Sequence, residues 1–153
     1  MMNRFYRNYG NYYPQRNENL NYIKDYGMMP LAVNIRNLAK NNENFRTVLW
    51  TGTQFQVTLM NILPNESIGI EIHPNVDQFI QIVQGNGMVK MGESQNNLDF
   101  SKKVSEDISI IIPAGKWHNL INIGSEPIKL FSIYAPPQHQ KETIQVTKTE
   151  AEK

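Results

Sequence analysis

Short runs of alternating apolar and polar residues fill most of the chain after Phe45. These runs are rich in β-branched and aromatic residues and are separated by turn sequences such as Pro74-Asn75 and Gly124-Ser125, a pattern typical of β-strands. The predicted strands are 46–51, 54–62, 67–72, 78–84, 87–91, 108–112, 117–123 and 128–134. Because no helix-length periodic segment lies between them, the pattern predicts an all-β sandwich or barrel.

Helical patterning is confined to one short segment that precedes the strands. Asn34 to Lys40 predict a short N-terminal helix with Asn34 as its N-cap. Further along, Gly85-Asn86-Gly87 is expected to form a hairpin turn, because an alternating strand follows it where a phosphate-binding loop would need a helix.

The two ends of the chain differ in composition from the middle. Six of the seven tyrosines lie in residues 1–29, among many asparagines and without any helix or strand period. Two alternatives remain open for this arm: it is poorly ordered, or its tyrosines pack on the barrel or on a partner chain. The polar C-terminal tail, 139–153, either adds an edge strand or frays. The expected organisation is thus an arm at 1–29, a barrel domain at 30–138 and the tail.

Composition and charge exclude several classes of function. The formal net charge of +1 gives no electrostatic reason to expect a nucleic acid or an anionic membrane as partner. No apolar run reaches the roughly 18 residues that cross a bilayer, and the first residues lack the apolar core of a secretory signal, so we expect a cytoplasmic location. The chain has no cysteine, which rules out disulfides and thiolate chemistry.

Two separated segments carry the residue types that bind transition metals. Glu71 and His73 share one face of a predicted strand, about 6.6 Å apart along it. Gln78 joins them across the following turn if its face of the next strand lines the barrel lumen. The turn 113–115 directs His118 inward. Two imidazoles, one carboxylate and the amide oxygen of Gln78 suit a divalent ion such as Zn, Mn, Fe or Ni.

The same strand parity predicts that several neighbouring residues lie away from the metal site. Ile68, Ile70 and Ile72 are expected on the opposite face from Glu71, packed in the core. Asp77 has the opposite parity from Gln78 and is expected to point away from the site. His139 follows Pro136-Pro137 outside any strand pattern, so we expect it in a loop.

These residues resemble the two motifs of the cupin superfamily. The second motif runs Pro-x-Gly, two residues, His, three residues, Asn, and is matched by Pro113, Gly115, His118 and Asn122, with Asp107 at the usual leading Gly. The positions of the first motif, normally His-x-His, Glu and Gly, are filled by Glu71, His73, Gln78 and Gly85. The resemblance spans roughly residues 45 to 135. It implies a double-stranded β-helix, the cupin jelly-roll barrel, with metal ligands at Glu71, His73, Gln78 and His118.

The sequence around the first motif is most similar to small bacterial cupins called mannose-6-phosphate isomerase-like. The resemblance therefore favours a metal-dependent enzyme acting on a small polar substrate, most plausibly as a sugar or sugar-phosphate isomerase with Glu71 as metal ligand or catalytic base. The alternatives are an Fe(II)-dependent dioxygenase and a non-catalytic ligand-binding or structural cupin of the spore-coat type. Because small barrels with exposed edge strands usually pair, a homodimer is expected.

Overall fold

The computed structural model describes residues 24–153, so the first 23 residues of the predicted arm lie outside the described part. Strands and short helices follow one another along this part of the chain in the order α1 (Ile35–Asn41), β1 (Arg46–Thr51), β2 (Gln56–Ile62), β3 (Asp77–Gln84), β4 (Asn86–Gly92), β5 (Phe100–Ser105), β6 (Ser109–Ile112), β7 (Trp117–Asn122), β8 (Ile128–Ala135), β9 (Ile144–Gln145) and α2 (Lys148–Ala151). As predicted, α1 is capped by Asn34, whose side chain accepts a hydrogen bond from the Asn37 N–H.

The strands of residues 24–153 form two antiparallel sheets. One sheet has the order β6-β3-β8-β2-β1-β9 and the other the order β5-β4-β7. Consecutive strands often belong to different sheets, which is the connectivity of a jelly roll. The predicted all-β class and the cupin jelly-roll architecture are therefore confirmed.

Two apolar cores explain why the sheets hold together. The inner faces of both sheets meet in a core that contains Ile80, Ile82, Val89, Leu120 and Leu130. The outer face of the larger sheet is covered in part by α1, in a second cluster formed by Leu38, Ala39, Leu49, Val57, Leu59 and Val83. The apolar inner core does not extend to one end of the barrel. Polar side chains line the lumen at that end, and the candidate site lies among them.

The predicted strand at 67–72 is wrong, because the segment makes only isolated bridges to β7. Ser67 pairs with Ile121 and Glu71 with His118, so the register slips by one residue between the two bridges. Gly69 lies within the slip with a φ of +90°, as in a β-bulge. The extra residue breaks the strand parity, and Ile70 is 47% exposed instead of packed in the core.

Two other expectations need correction. Gly85 has the expected positive φ, +93°, but β3 and β4 pair in different sheets, so residues 85–87 form a corner between sheets and not a hairpin. Strand β5 was missed because its residues are mostly exposed, and it lacks the apolar alternation of a half-buried strand. At the C-terminal end, Ile144 and Gln145 do add a short edge strand, paired with β1.

Candidate metal centre

His118 is held in place by its own strand and by the turn that precedes it. It lies on β7 with Leu120 and Asn122, and all three side chains are buried, as strand parity predicted. The His118 Nδ1 atom is 2.9 Å from the carbonyl oxygen of Lys116, and a carbonyl only accepts, so Nδ1 carries the proton. The Nε2 lone pair of His118 is therefore free to bind a metal ion.

Glu71 and His73 reach the same place through backbone pairing with β7 and the 113–115 turn. The Glu71 N–H donates to the His118 carbonyl at 3.0 Å, and the His118 N–H donates back to Glu71 at 2.9 Å. The N–H of Gly115 donates to the His73 carbonyl at 2.9 Å, and Gly115 has a φ of +81°, which glycine adopts at little cost. The two motif segments are thus joined directly by main-chain hydrogen bonds.

The three side chains form one compact ligand set. A carboxylate oxygen of Glu71, Oε1, lies 3.4 Å from His73 Nε2 and 3.4 Å from His118 Nε2. One ligand atom from each residue falls within 4.8 Å of the others. Two atoms bound to Zn²⁺ at about 2.1 Å with a tetrahedral angle stand about 3.4 Å apart, so this spacing fits an ion bound between them.

The burial of these atoms supports the same interpretation. His73 and His118 are 7% and 1% exposed, and their Nε2 atoms make no hydrogen bond with the described residues; 3.4 Å is longer than an ordinary N–H···O bond. Buried imidazole nitrogens usually have a partner. Two such nitrogens beside a carboxylate fit a divalent cation, and the cluster can bind one.

Glu71 is ionised across the physiological pH range. Burial acts to raise the pKa of its carboxyl, but the polar and electrostatic influence of the His118 and His73 imidazoles, each 3.4 Å away, outweighs burial and lowers the pKa to about 2. The carboxylate therefore brings one negative charge to the centre. With a bound dication the net charge of the cluster would be +1.

Gln78 lies on the adjoining wall and Asp77 outside it. Gln78 is 3% exposed; its Nε2 donates to Ser132 Oγ at 3.0 Å, while its buried Oε1 has no hydrogen-bond partner within residues 24–153. The amide oxygen is therefore the atom left for a ligand. Asp77 is exposed, as expected from its parity, and its Oδ1 accepts from the Ala114 N–H at 2.8 Å, which braces the 113–115 turn.

Three further residues of the lumen were not predicted as site residues: Arg46, Tyr134 and His139. Tyr134 lies beside Gln78 and Gln56 in the β3-β8-β2 ladder, and its ring packs edge-on against His73, with 5.6 Å between centroids. His139 also packs edge-on against Tyr134, with 4.9 Å between ring centroids. Strand parity at Arg46 and Tyr134 was the available clue, because both are inner-face positions.

His139 lies in a loop, as expected, but this loop is fixed to the barrel. Gln56 holds it by a pair of hydrogen bonds: its Nε2 donates to the His139 carbonyl at 2.9 Å, and its Oε1 accepts from the His139 N–H at 2.8 Å. Burial is the main cause that lowers the pKa of His139 to about 4, with the positive charge of Arg46 acting in the same direction. His139 is therefore a neutral imidazole at physiological pH.

Two buried histidines and a partly buried carboxylate, a set that could bind a divalent metal ion, lie together in the lumen of a jelly-roll barrel. The family model of the cupin domain matches residues 58–134. YrkC of Bacillus subtilis strain 168 is 56% identical over 129 residues, covering 84% of this chain and 69% of that protein. The chain belongs to the cupin superfamily.

Two more comparisons agree with this assignment. L612 of Acanthamoeba polyphaga mimivirus is 36% identical over 121 residues, covering 78% of this chain and 74% of that protein. The crystal structure of BH2720 from Bacillus halodurans superposes with a TM-score of 0.84 at 51% identity, covering 85% of this chain and 98% of that one. Within residues 24–153 no helix combines the length and apolar character that a membrane crossing requires.

Proposed function

We propose that this cupin is a metal-dependent enzyme that acts on a small polar substrate, with sugars and sugar phosphates as the first class to test. The observation that supports this most is the convergence of Glu71, His73 and His118 on one point of the lumen. Three protein ligands leave coordination positions for substrate oxygens. Zn, Mn, Fe and Ni all suit this set of two imidazoles and one carboxylate.

Each residue of the candidate site has a separate role in this proposal. Glu71 acts as a ligand in this proposal, because the same oxygen, Oε1, is 3.4 Å from both histidine Nε2 atoms. Gln78 contributes its Oε1, which is unpaired in the part of the chain that the structure describes, as a fourth, neutral ligand. A bound divalent ion would supply Lewis-acid polarisation of a substrate carbonyl oxygen. Burial of His73 and His118 keeps bulk water from their ring nitrogens.

Isomerisation is the reaction we propose first, in line with the mannose-6-phosphate isomerase-like sequence around Glu71. The test incubates metal-loaded protein with a panel of aldose and ketose phosphates and follows interconversion by NMR. Turnover that disappears in Glu71→Gln, and that persists in Glu126→Gln at an exposed carboxylate, is the expected result. Absence of interconversion across the panel would contradict isomerase activity. Substrate-dependent oxygen uptake in the same samples would instead favour the dioxygenase alternative.

We also propose that the protein is a cytoplasmic homodimer that pairs through the outer face of the larger sheet. One apolar row crosses this face at Ile111, Phe79, Ile133, Val57 and Trp50, which are successive partners on β6, β3, β8, β2 and β1. Ile111 is 62% exposed at the end of the row. Val57 already packs in the second cluster, so the part of the row that a partner could cover lies at Ile111, Phe79 and Ile133. An exposed apolar patch on a sheet surface is typical of an interface, and two copies related by a twofold axis would each cover the other's patch.

A further inference from the structure

Unpaired polar atoms continue from the metal cluster along the lumen wall. Besides His73 Nε2, His118 Nε2 and Gln78 Oε1, the inner face carries three more buried polar atoms without a hydrogen-bond partner among the described residues: Arg46 Nε, Thr58 Oγ1 and His139 Nε2. Buried polar groups in folded proteins are nearly always paired. A run of them along one wall therefore indicates groups that bind a ligand.

Arg46 is the residue in this set that determines the charge of that ligand. It is 5% exposed, and no carboxylate within residues 24–153 forms an ion pair with it. Its Nη1 donates to the neutral amide oxygen of Gln145 at 2.6 Å, and its guanidinium carbon lies 5.4 Å from the centre of the Phe45 ring. These contacts orient the guanidinium, but they leave its charge uncompensated. A buried cation is normally paired with an anion.

Arg46 is linked to the metal centre through Tyr134. The Tyr134 hydroxyl lies near Arg46 and Ser132, and the Tyr134 ring packs against His73 with 5.6 Å between centroids. His139 packs edge-on against the same ring with 4.9 Å between centroids, and it lies near Arg46, Glu71 and His73. Arg46, His139 and the metal ligand His73 are therefore grouped around the ring of Tyr134.

We propose that Arg46, with the Tyr134 hydroxyl and His139 Nε2, forms an oxyanion-binding subsite next to the metal centre, so that the natural ligand carries a carboxylate or phosphate group. The Nε–H of the Arg46 guanidinium, which has no partner among the described residues, can donate a charge-assisted hydrogen bond to an oxygen of such a group. The proposal rests on the proposed function, because it assigns this subsite to the substrate that the metal centre binds. It narrows the substrate class from polar molecules in general to acids.

The test uses full-length protein treated with EDTA, so that binding to the subsite is measured without any contribution from a metal. The probes are sodium acetate, inorganic phosphate and acetamide, the last as the uncharged analogue of acetate. The readout is the Nε–H resonance of Arg46 in an arginine-optimised ¹⁵N–¹H NMR spectrum. We expect saturable shifts with acetate, phosphate or both, and none with acetamide. The anion that binds with the higher affinity indicates whether the natural ligand carries a carboxylate or a phosphate group.

Variants separate a specific subsite from general attraction of anions. Arg46→Gln should weaken anion binding at least about tenfold, as measured on the His139 ring resonances. Tyr134→Phe, which keeps the ring, should weaken it by about threefold or more. The matched control is Arg36→Gln, which removes the same charge from an exposed ion pair with Glu106 and Asp107 and should leave binding unchanged.

Three results would overturn the subsite: no Arg46 shift with either anion, equal shifts with acetamide, or unchanged anion affinity in both Arg46→Gln and Tyr134→Phe. If Arg46→Gln does not fold, the NMR shifts of Arg46 in the wild type and the anion affinity of Tyr134→Phe still test the subsite. Because these measurements contain no metal, they can succeed while the isomerase assay fails, and the reverse also holds. Failure of the subsite is thus distinguishable from failure of the proposed function.

Discussion

The Nδ1 atom of His118 lies 2.9 Å from the backbone carbonyl oxygen of Lys116. This contact fixes which ring nitrogen of His118 faces the lumen, because Nδ1 must donate and Nε2 is left with its lone pair. We expect ¹⁵N–¹H NMR of metal-free protein in mildly alkaline buffer to show His118 as the Nδ1–H tautomer. An Nε2–H tautomer there would contradict a role for His118 as a preorganised ligand.

Gly115 connects the two histidine segments, so its substitution should affect both stability and the site. Its φ of +81° is strained for any residue with a Cβ, while an added Cβ would meet nothing closer than the Pro74 carbonyl oxygen at 4.0 Å. Gly115→Ala should therefore lower the free energy of unfolding by roughly 1–2 kcal/mol through backbone strain alone, and should also weaken metal binding. Urea denaturation measures the first effect and metal titration the second.

The control for Gly115 is Gly124→Ala, at a glycine without a positive φ whose added Cβ makes ordinary contacts beginning at 3.4 Å. We expect little change there. Equal losses of stability in the two variants would show that the strain at Gly115 is not the cause.

The fold could be predicted from the sequence where strands are half-buried. It could not be predicted where a local irregularity or a contact with a remote residue determines the position of a side chain. Strand β1 begins and ends as the alternation predicts, and the inner-face residues of β3 and β7 were assigned from parity alone. The bulge at Gly69 broke that parity and exposed Ile70. His139 is placed by Gln56, a residue 83 positions away, so no pattern near His139 could reveal its position beside Tyr134.

His139 gives the molecule a predictable acid sensitivity. Its pKa falls from 6.5 to about 4 on folding, mainly through burial, so below pH 6.5 the unfolded chain binds a proton that the folded chain does not. Stability is therefore lost as the pH falls from 6.5 towards about 4, by at most about 3 kcal/mol. In EDTA-treated protein, His139→Gln should flatten this part of the stability–pH curve. An unchanged curve would contradict the burial of a neutral imidazole.

The apolar row on the larger sheet predicts the oligomeric state and a variant that changes it. We expect sedimentation analysis of the full chain to give a dimer. Ile111→Asp should shift it towards monomer, because a charge would enter an apolar contact made by the row. Ile123→Asp is the matched control, since Ile123 is a similarly exposed isoleucine, 50% against 62%, outside the row. A monomeric wild type, or equal effects of both substitutions, would argue against this interface.

The central claim is that Glu71, His73 and His118 together bind one divalent ion. Elemental analysis of protein purified without chelators or affinity metals tests it most directly, comparing wild type with Glu71→Ala, His118→Ala and the exposed-site control Glu126→Ala. We expect about one transition-metal ion per chain in wild type and control, and loss of most of it in both site variants. An ion content that is unchanged in Glu71→Ala and His118→Ala, or wild type that binds no divalent ion even on titration, would contradict the account.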